Sequence, residues 1–392
     1  MVSSASSTVD FAFVFRINGL TVNRTLCRTN LPVQDFDLDS HQHRRLAAFS
    51  PISPVRMNRA RLNELLSRAK AKHILVVGDL MLDEFVLGKV GRISPEAPVP
   101  VVEVTKESFY PGGAANVARN LREFSRNVEV IGMFGSDHDG QHLAELLGRQ
   151  KIDTTAAIED RTFRTIKKTR IIARNQQVVR VDREQLRGPS PAQISRIAAN
   201  VRRRLPKIDA IIFEDYGKGF LSADLVRRIC DDALAARKIV TADPNPNHPV
   251  KWTRVTAVKP NRAEAFLAAG LPWSDPIEPP TRDSQLLKAG KRLLAKWQTE
   301  VLLITLGENG MMLFERGAKP HYIPTRAREV YDVSGAGDTA IALFTLALCC
   351  DATPVEAAEI ANHASAVVVG KLGTATVTPD ELCKSFENDQ LA

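Results

Sequence analysis

Five short apolar runs, each ending in polar or charged groups, constrain this chain more than any other feature. They are His73–Gly78, Ile208–Phe213, Lys238–Ala242, Val255–Val258 and Val301–Thr305. Unbroken apolar runs of this length suit strands of a parallel sheet, which helices cover on both faces. Amphipathic helical stretches such as Arg61–Lys70 and Gln141–Gln150, and a helix starting at Ser222, lie between or beside the runs. The expected fold is therefore α/β, a doubly wound and mainly parallel sheet. In such sheets ligands bind beyond the carboxyl ends of the strands. The polar ends Asp79–Asp83, Glu214–Gly219, Asp243-Pro244, Lys259–Glu264 and Leu306–Gly310 should then line one rim. Asp83 reads as a ligand residue rather than a loop carboxylate; Lys218, Asp243, Asn261 and Glu264 each pass singly as surface-loop residues, but together they point to one crevice.

Composition excludes several classes of protein. With 392 residues, 44% apolar and 25% charged, the chain can bury one large core. No apolar run approaches the ~18 residues of a membrane span, so no membrane partner is expected. The five cysteines are scattered and never spaced C-x-x-C, which supports neither a disulfide framework nor a zinc site and favours a reducing, cytoplasmic setting. The net charge of +8 is spread along the chain and aromatics make up only 6%. That pattern fits small phosphorylated ligands and gives no basic stripe for nucleic acid.

Residues 1–56 read differently, rich in Ser, Thr and Arg with few periodic apolar positions. They are expected to be a disordered leader or the product of a start codon assigned too early, with Met57 as the first residue. Asp10, Asp35, Asp37 and Asp39 argue against a transit peptide. Residues 57–392 then form one domain. Gly88–Val104, carrying Pro95, Pro98 and Pro100, should be an edge or lid strand. Thr165–Ala173 and Gln176–Asp182 should be an antiparallel pair turning at Asn175–Gln177. The lid is placed roughly at 85–110 and 163–182.

Two glycine-rich turns enter helices: Pro111-Gly112-Gly113-Ala114-Ala115-Asn116, and Asp332-Val333-Ser334-Gly335-Ala336-Gly337-Asp338 before the apolar Ile341–Cys350. Glycines let successive N–H groups point at one spot, and the helix dipole adds to that anion site. A carboxylate beside an anion site repels phosphate, so Asp338 suits a group that takes a proton from a nucleophile. It equally suits a helix start where a carboxylate complements the dipole. Asn261-x-x-Glu264 has the spacing for a hydrated Mg²⁺ and equally for a capping box. Asn362 and His363 lie on the helix Pro354–Gly370, and His363 reads as a packed core residue.

In order and rough spacing, Gly112-Gly113 with Asn116, Asp215–Gly219, Asn261–Glu264, Thr305-Leu306-Gly307 and Gly335–Asp338 resemble the ribokinase-like, or PfkB, carbohydrate kinases. The resemblance covers residues 70–385. Val76–Asp83, Arg92–Glu103, Gln176–Asp182 and Gly370–Thr376 are similar to the kinase part of the bacterial bifunctional heptose 7-phosphate kinase and heptose 1-phosphate adenylyltransferase. The resemblance implies ATP-dependent phosphorylation of D-glycero-β-D-manno-heptose 7-phosphate at its C1 hydroxyl, a step toward ADP-heptose for lipopolysaccharide. It leaves open a kinase for another sugar, sugar phosphate or nucleoside, or a silent sensor on this fold. It implies Asp338 as base and Gly335, Ala336 and Gly337 as anion hole. ATP would be held by Asn261, Arg262, Ala263, Glu264, Thr305, Gly307 and Asn362. Substrate would be held by Asp83, Gly112, Gly113, Asn116 and Lys218, with Arg92, Arg119 and Lys218 as candidates for its phosphate. Glu264 would reach Mg²⁺ through water, and Asp332 is the candidate for K⁺. Two departures stand out: Asn245 follows Asp243-Pro244 where many relatives offer a lysine, and the chain ends at Ala392 with no adenylyltransferase region, as in a stand-alone kinase. A homodimer is expected, with Val99–Val104 as its pairing strand.

Overall fold

The computed structural model describes residues 57–390 apart from 175, 249, 328 and 329; the expected leader 1–56 and the turn residue Asn175 lie outside the described residues. In chain order the strands are β1 (His73–Gly78), β2 (Leu80–Ile93), β3 (Pro100–Gly113), β4 (Asn127–Ile131), β5 (Met133–Gly135), β6 (Ile158–Asp160) and β7 (Ile166–Ala173). They continue as β8 (Gln176–Arg183), β9 (Ala210–Glu214), β10 (Ile239–Asp243), β11 (Ala257–Val258), β12 (Val301–Thr305), β13 (Met311–Glu315) and β14 (His321–Ile323).

Eight of them form one sheet in the order β14-β13-β12-β11-β10-β9-β1-β4. Pairing is parallel from β12 to β4 and antiparallel only at the β12/β13 and β13/β14 edge. The expected doubly wound α/β sheet is what forms. Each face is covered because the strands are apolar throughout. Ile74 and Val76 of β1 join one core cluster with the helices Ala114–Arg122, Ala336–Cys349 and Pro354–Val369. Leu75 and Val77, one residue out of phase, join the opposite cluster with the helices Pro191–Arg204, Ala223–Ala235 and Ser284–Trp297. Chain order reverses at β1, which pairs with β4 on one side and β9 on the other. Gly78 is in register with Glu214. The residues just past β1 and β9 therefore emerge side by side at the switch point, where an open α/β sheet binds ligands.

A second sheet runs β3-β2-β7-β8. Here the strands exceed the sequence expectation. The β2/β3 pairing runs unbroken in direction from Leu80–Gly113 to Ile93–Pro100, so Pro95 and Pro98 sit at the hairpin tip. Asp83, expected in a loop past β1, lies in β2, and Gly112 and Gly113 end β3. The sequence hides this because β2 starts one residue after β1 ends, and its first residues Leu80, Met81 and Leu82 are themselves core. Gln176 and Gln177 belong to β8 rather than to the turn. Val104 on β3 and Val178, Val179 and Val181 on β8 are exposed along the two edge strands.

The helix Ser284–Trp297 supplies a test of core packing. Gly290 faces the ring of buried Phe314, and a Cβ there would stand 2.3 Å from ring carbons. Helix propensity alone makes Gly→Ala stabilising by about 0.5–1 kcal/mol. Overpacking reverses the sign: Gly290→Ala should destabilise by about 1–3 kcal/mol, read as a lower urea midpoint with an unchanged m-value.

Candidate functional site

Seven other α-helices among the described residues start with a side-chain cap, from Asn58, Asp137, Ser190, Ser222, Asn261, Asp283 or Thr353. The helices Ala114–Arg122 and Ala336–Cys349 instead start at glycines, Gly113 (φ +59°) and Gly335 (φ +81°), with no side-chain cap. Those conformations favour glycine, and at Gly335 a Cβ would also press within 2.7 Å of Asn116 Nδ2. The two uncapped starts meet at Asp338.

Asp338 is the third residue of its helix and 4% exposed. Its carboxylate does not cap the helix. Asn116 Nδ2 donates to Oδ2 at 2.7 Å and the Tyr216 hydroxyl donates to Oδ1 at 2.8 Å. Burial pushes the Asp338 carboxyl up, and these two donors pull it part of the way back. Burial and the facing Asp338 carboxylate also keep the Tyr216 phenol protonated, so it remains a donor. Asn116 is itself fixed: Arg119 Nη1 donates to its Oδ1 at 3.2 Å and also to the Thr374 carbonyl at 3.1 Å. Thr339 Oγ1 donates to Asn120 Oδ1 at 3.0 Å, tying the two helices together below the site.

Tyr216 is placed by Asp79, the first residue past β1. This buried carboxylate accepts from the backbone N–H groups of Tyr216 (3.0 Å), Lys218 (3.1 Å) and Phe220 (3.1 Å). One side chain thereby shapes the whole 215–220 loop. On the other side of Asp338 lies Lys259, 3% exposed, with Nζ 2.7 Å from Asp243 Oδ2. A Cβ on Gly337 would lie 3.5 Å from that Nζ, so the ammonium sits beside the glycine turn. Glu214 completes the group: it is buried, and its Oε2 lacks a hydrogen-bond partner. Burial, then repulsion from Asp243 and Asp338, pushes the Glu214 carboxyl well above the usual range, and burial raises Asp243 to about 7 against the pull of Lys259.

Of the other residues singled out from sequence, Asp83 pairs with Arg170 (2.5 Å), and a Cβ on Gly112 would lie 2.3 Å from Asp83 Oδ2. Gly113 packs on the Asp79 carbonyl. Lys218 pairs with Glu184 at 2.7 Å, where the chain leaves β8. Asn261 and Glu264 do form a capping box, with Glu264 Oε2 on the Asn261 N–H (2.8 Å) and Asn261 Oδ1 on the Glu264 N–H (2.9 Å). Thr305 bridges to Asn261, and its N–H donates to the Pro260 carbonyl. Gly307 turns with φ +62°, and exposed Ala263 lies in the first helical turn. Arg262 faces away from this rim, buried against Asp283 at 2.7 Å. Asn362 donates to the Pro324 carbonyl and has no contact with the Asn261 box among the hydrogen bonds of the described residues. Asp332 accepts from the N–H groups of Ser334 (2.9 Å) and Gly373 (3.1 Å). Arg92 is exposed near the hairpin tip of β2.

Sequence reasoning gave no role to Asp79, Tyr216, Lys259, Glu214 or Lys168. Each lies at a strand end or on a lid strand, and strand-end polarity was the available signal; only the three-dimensional packing shows which of them face Asp338.

A family model described as pfkB family carbohydrate kinase matches residues 71–381. The chain is 40% identical over 330 residues to the bifunctional protein HldE of Geobacter sulfurreducens, covering 84% of this chain and 66% of that protein. It is 44% identical over 315 residues to the bifunctional protein HldE of Helicobacter hepaticus, covering 80% and 64%. The chain thus spans slightly under two thirds of the length of these curated relatives. Among solved structures, it is similar to Escherichia coli phosphofructokinase-2 in complex with potassium (TM-score 0.66, 17% identity, covering 81% of this chain and 99% of that one). It is also similar to Arabidopsis thaliana ribokinase complexed with ribose and ATP (TM-score 0.61, 18% identity, covering 81% and 99%). At these identities the likeness establishes the ribokinase-like fold.

The Asp79 network yields a stability test. Asp79→Asn loses one acceptor oxygen and turns an amide N–H₂ toward backbone donors. It should cost about 1–3 kcal/mol in urea unfolding, with amide hydrogen exchange quickened at 216–220 before other buried loops.

Proposed function

This chain belongs to the pfkB family of carbohydrate kinases, and from that membership we propose that it transfers the γ-phosphoryl group of ATP to the C1 hydroxyl of D-glycero-β-D-manno-heptose 7-phosphate. The heptose assignment rests on the subfamily motifs and on the 40–44% identity to bifunctional HldE proteins. The observation that carries the kinase chemistry is the Asp338 carboxylate, buried at the start of an uncapped helix and held by Asn116 and Tyr216.

The acceptor hydroxyl gives its proton to Asp338 as its oxygen attacks the γ-phosphorus. The bond from that phosphorus to the bridging oxygen breaks, and ADP leaves. Charge on the moving phosphoryl is what such an enzyme must stabilise. The turn Gly335-Ala336-Gly337 offers the positive end of a helix dipole for this, and the Lys259 ammonium stands beside it. Asp83 and Asn116, with Gly112 and Gly113 giving close backbone approach, hold sugar hydroxyls. Asn261, Ala263, Glu264, Thr305, Gly307 and Asn362 face the nucleotide, while Arg262 braces their helix from behind.

Among the described residues no three His, Cys, Asp or Glu side chains are grouped to hold a metal ion. The carboxylates Glu214, Asp243 and Glu264, set against the one cation Lys259, fit a Mg²⁺ that arrives with ATP and keeps its waters. When bound, Mg²⁺ neutralises phosphate charge; Glu264 is the residue to hold it through water. Asp332 is the proposed K⁺ residue, since its half-buried carboxylate joins the 334 and 373 segments. Dependence of turnover on K⁺ is the corresponding check.

A panel of sugars, sugar phosphates and nucleosides with coupled ADP detection tests the acceptor. Turnover with ribose or fructose 6-phosphate but not the heptose phosphate would overturn the assignment. Asp338→Asn should lower kcat by about 10²–10⁴, and near-wild-type turnover would remove Asp338 as base. Tyr216→Phe removes a donor to the Asp338 carboxylate and so raises its pKa. A base must be deprotonated, so the acid limb of kcat/KM should move to higher pH.

A further inference from the structure

The face of the small sheet that looks into the cleft carries Asp83 from β2 with Lys168 and Arg170 from β7, where Asp83 and Lys168 are register partners. Most charges here are matched. Arg170 pairs with Asp83 at 2.5 Å, Lys218 with Glu184 at 2.7 Å and Arg180 with Asp182 at 2.8 Å. Lys168 differs. Among the described residues no carboxylate lies within ion-pair distance of it, and its Nζ rests 5.2 Å from the centroid of the Tyr216 ring. Partial burial lowers the Lys168 pKa, so the fold holds this ammonium at a cost.

Its position says what would relieve that cost. The Tyr216 hydroxyl donates to Asp338, which places Lys168 one aromatic ring away from the base, on the lid side of the cleft. The anion it faces is therefore the end of the acceptor remote from the reacting hydroxyl. The helix start at Gly335 is the place proposed above for the ATP phosphates, which leaves the acceptor to supply an anion for Lys168. Lys218, on the loop that carries Tyr216, is a second cation whose charge bears on Lys168, although Glu184 pairs with it. Two ammonium groups beside one cleft suit a dianion, and phosphate takes charge-assisted bonds from several donors at once. The two arginines weighed from sequence do not compete. Arg92 is exposed near the hairpin tip, and the guanidinium of Arg119 is spent on Asn116 and the Thr374 carbonyl.

We infer that Lys168, with Lys218 beside it, binds a phosphomonoester on the acceptor sugar, so that the cleft selects phosphorylated over unphosphorylated sugars. This deepens the proposed function and rests on it for the identity of the acceptor as a sugar.

The test compares wild type, Lys168→Met and Lys168→Arg on heptose 7-phosphate and on the same heptose without its phosphate. The ratio of kcat/KM values for the two acceptors should fall about 10–100-fold in Lys168→Met, the scale of one lost charge-assisted bond, and Lys168→Arg should recover most of it. An unchanged ratio overturns the inference, as does an equal loss on both acceptors. A second measurement needs no turnover. Inorganic phosphate should raise the melting temperature of the wild-type protein, and at least half of that shift should vanish in Lys168→Met; equal shifts overturn the inference. If neither heptose is a substrate while the Lys168-dependent phosphate shift persists, the phosphate site stands and the heptose assignment falls.

Discussion

A single buried carboxylate sets the geometry of this protein's cleft. Asp338 sits almost out of water, where an ion without partners would be costly. It is held by two neutral donors from two other parts of the chain, the Asn116 amide and the Tyr216 hydroxyl. Neutral donors are the informative choice. A lysine or arginine in contact would stabilise the ion more, but would also depress its basicity. Asn116 and Tyr216 keep the carboxylate oriented while burial keeps it basic. Satisfying this one group ties the helix Ala114–Arg122, the 215–220 loop and the helix Ala336–Cys349 into one unit.

The supporting contacts follow the same logic one layer out. Asp79 gathers three backbone N–H groups and so fixes the loop on which Tyr216 rides. Arg119 braces Asn116 from below and reaches Thr374, which packs against Gly335. Around the glycine turn the charges are unbalanced on purpose-sized terms: three carboxylates, Glu214, Asp243 and Glu264, surround one lysine. Burial raises the first two, and like charges at short range in that dry site add to it. A site of this kind is prepared for a cationic addition carried by its ligand, while the uncapped helix start is prepared for an anionic one.

Much of this was legible in the residues. Apolar runs with polar ends announced the parallel sheet and its rim, and the two glycine turns announced helix starts. Asp338 itself was ambiguous between a cap and a base. In space its oxygens accept from Asn116 and Tyr216 rather than from first-turn N–H groups, so it does not act as a hydrogen-bonding cap. Asn261 and Glu264 went the other way, because the capping box that their spacing allowed does form and uses one oxygen of each side chain. The lid was less legible. β2 follows β1 after one residue and starts with core side chains, so the boundary between the sheets carries no polar mark. Arg262 and Arg119, singled out as basic residues for ligands, pair here with Asp283 and with Asn116 and the Thr374 carbonyl, contacts that no local pattern announces.

By itself the sequence determined the fold class, the order of the strand ends along the rim and the identity of the two glycine turns. These depend on short-range patterns, on period-2 or continuous apolar runs and on backbone freedom at single residues. Only the tertiary structure decided which polar groups meet. The Asp79–Tyr216 link spans 137 residues, Asn116–Asp338 spans 222, and the Lys168–Tyr216 contact joins the small sheet to the loop that leaves β9 of the large one. Such pairings depend on where strand order reverses and on how the small sheet folds over the large one, and no local pattern encodes either.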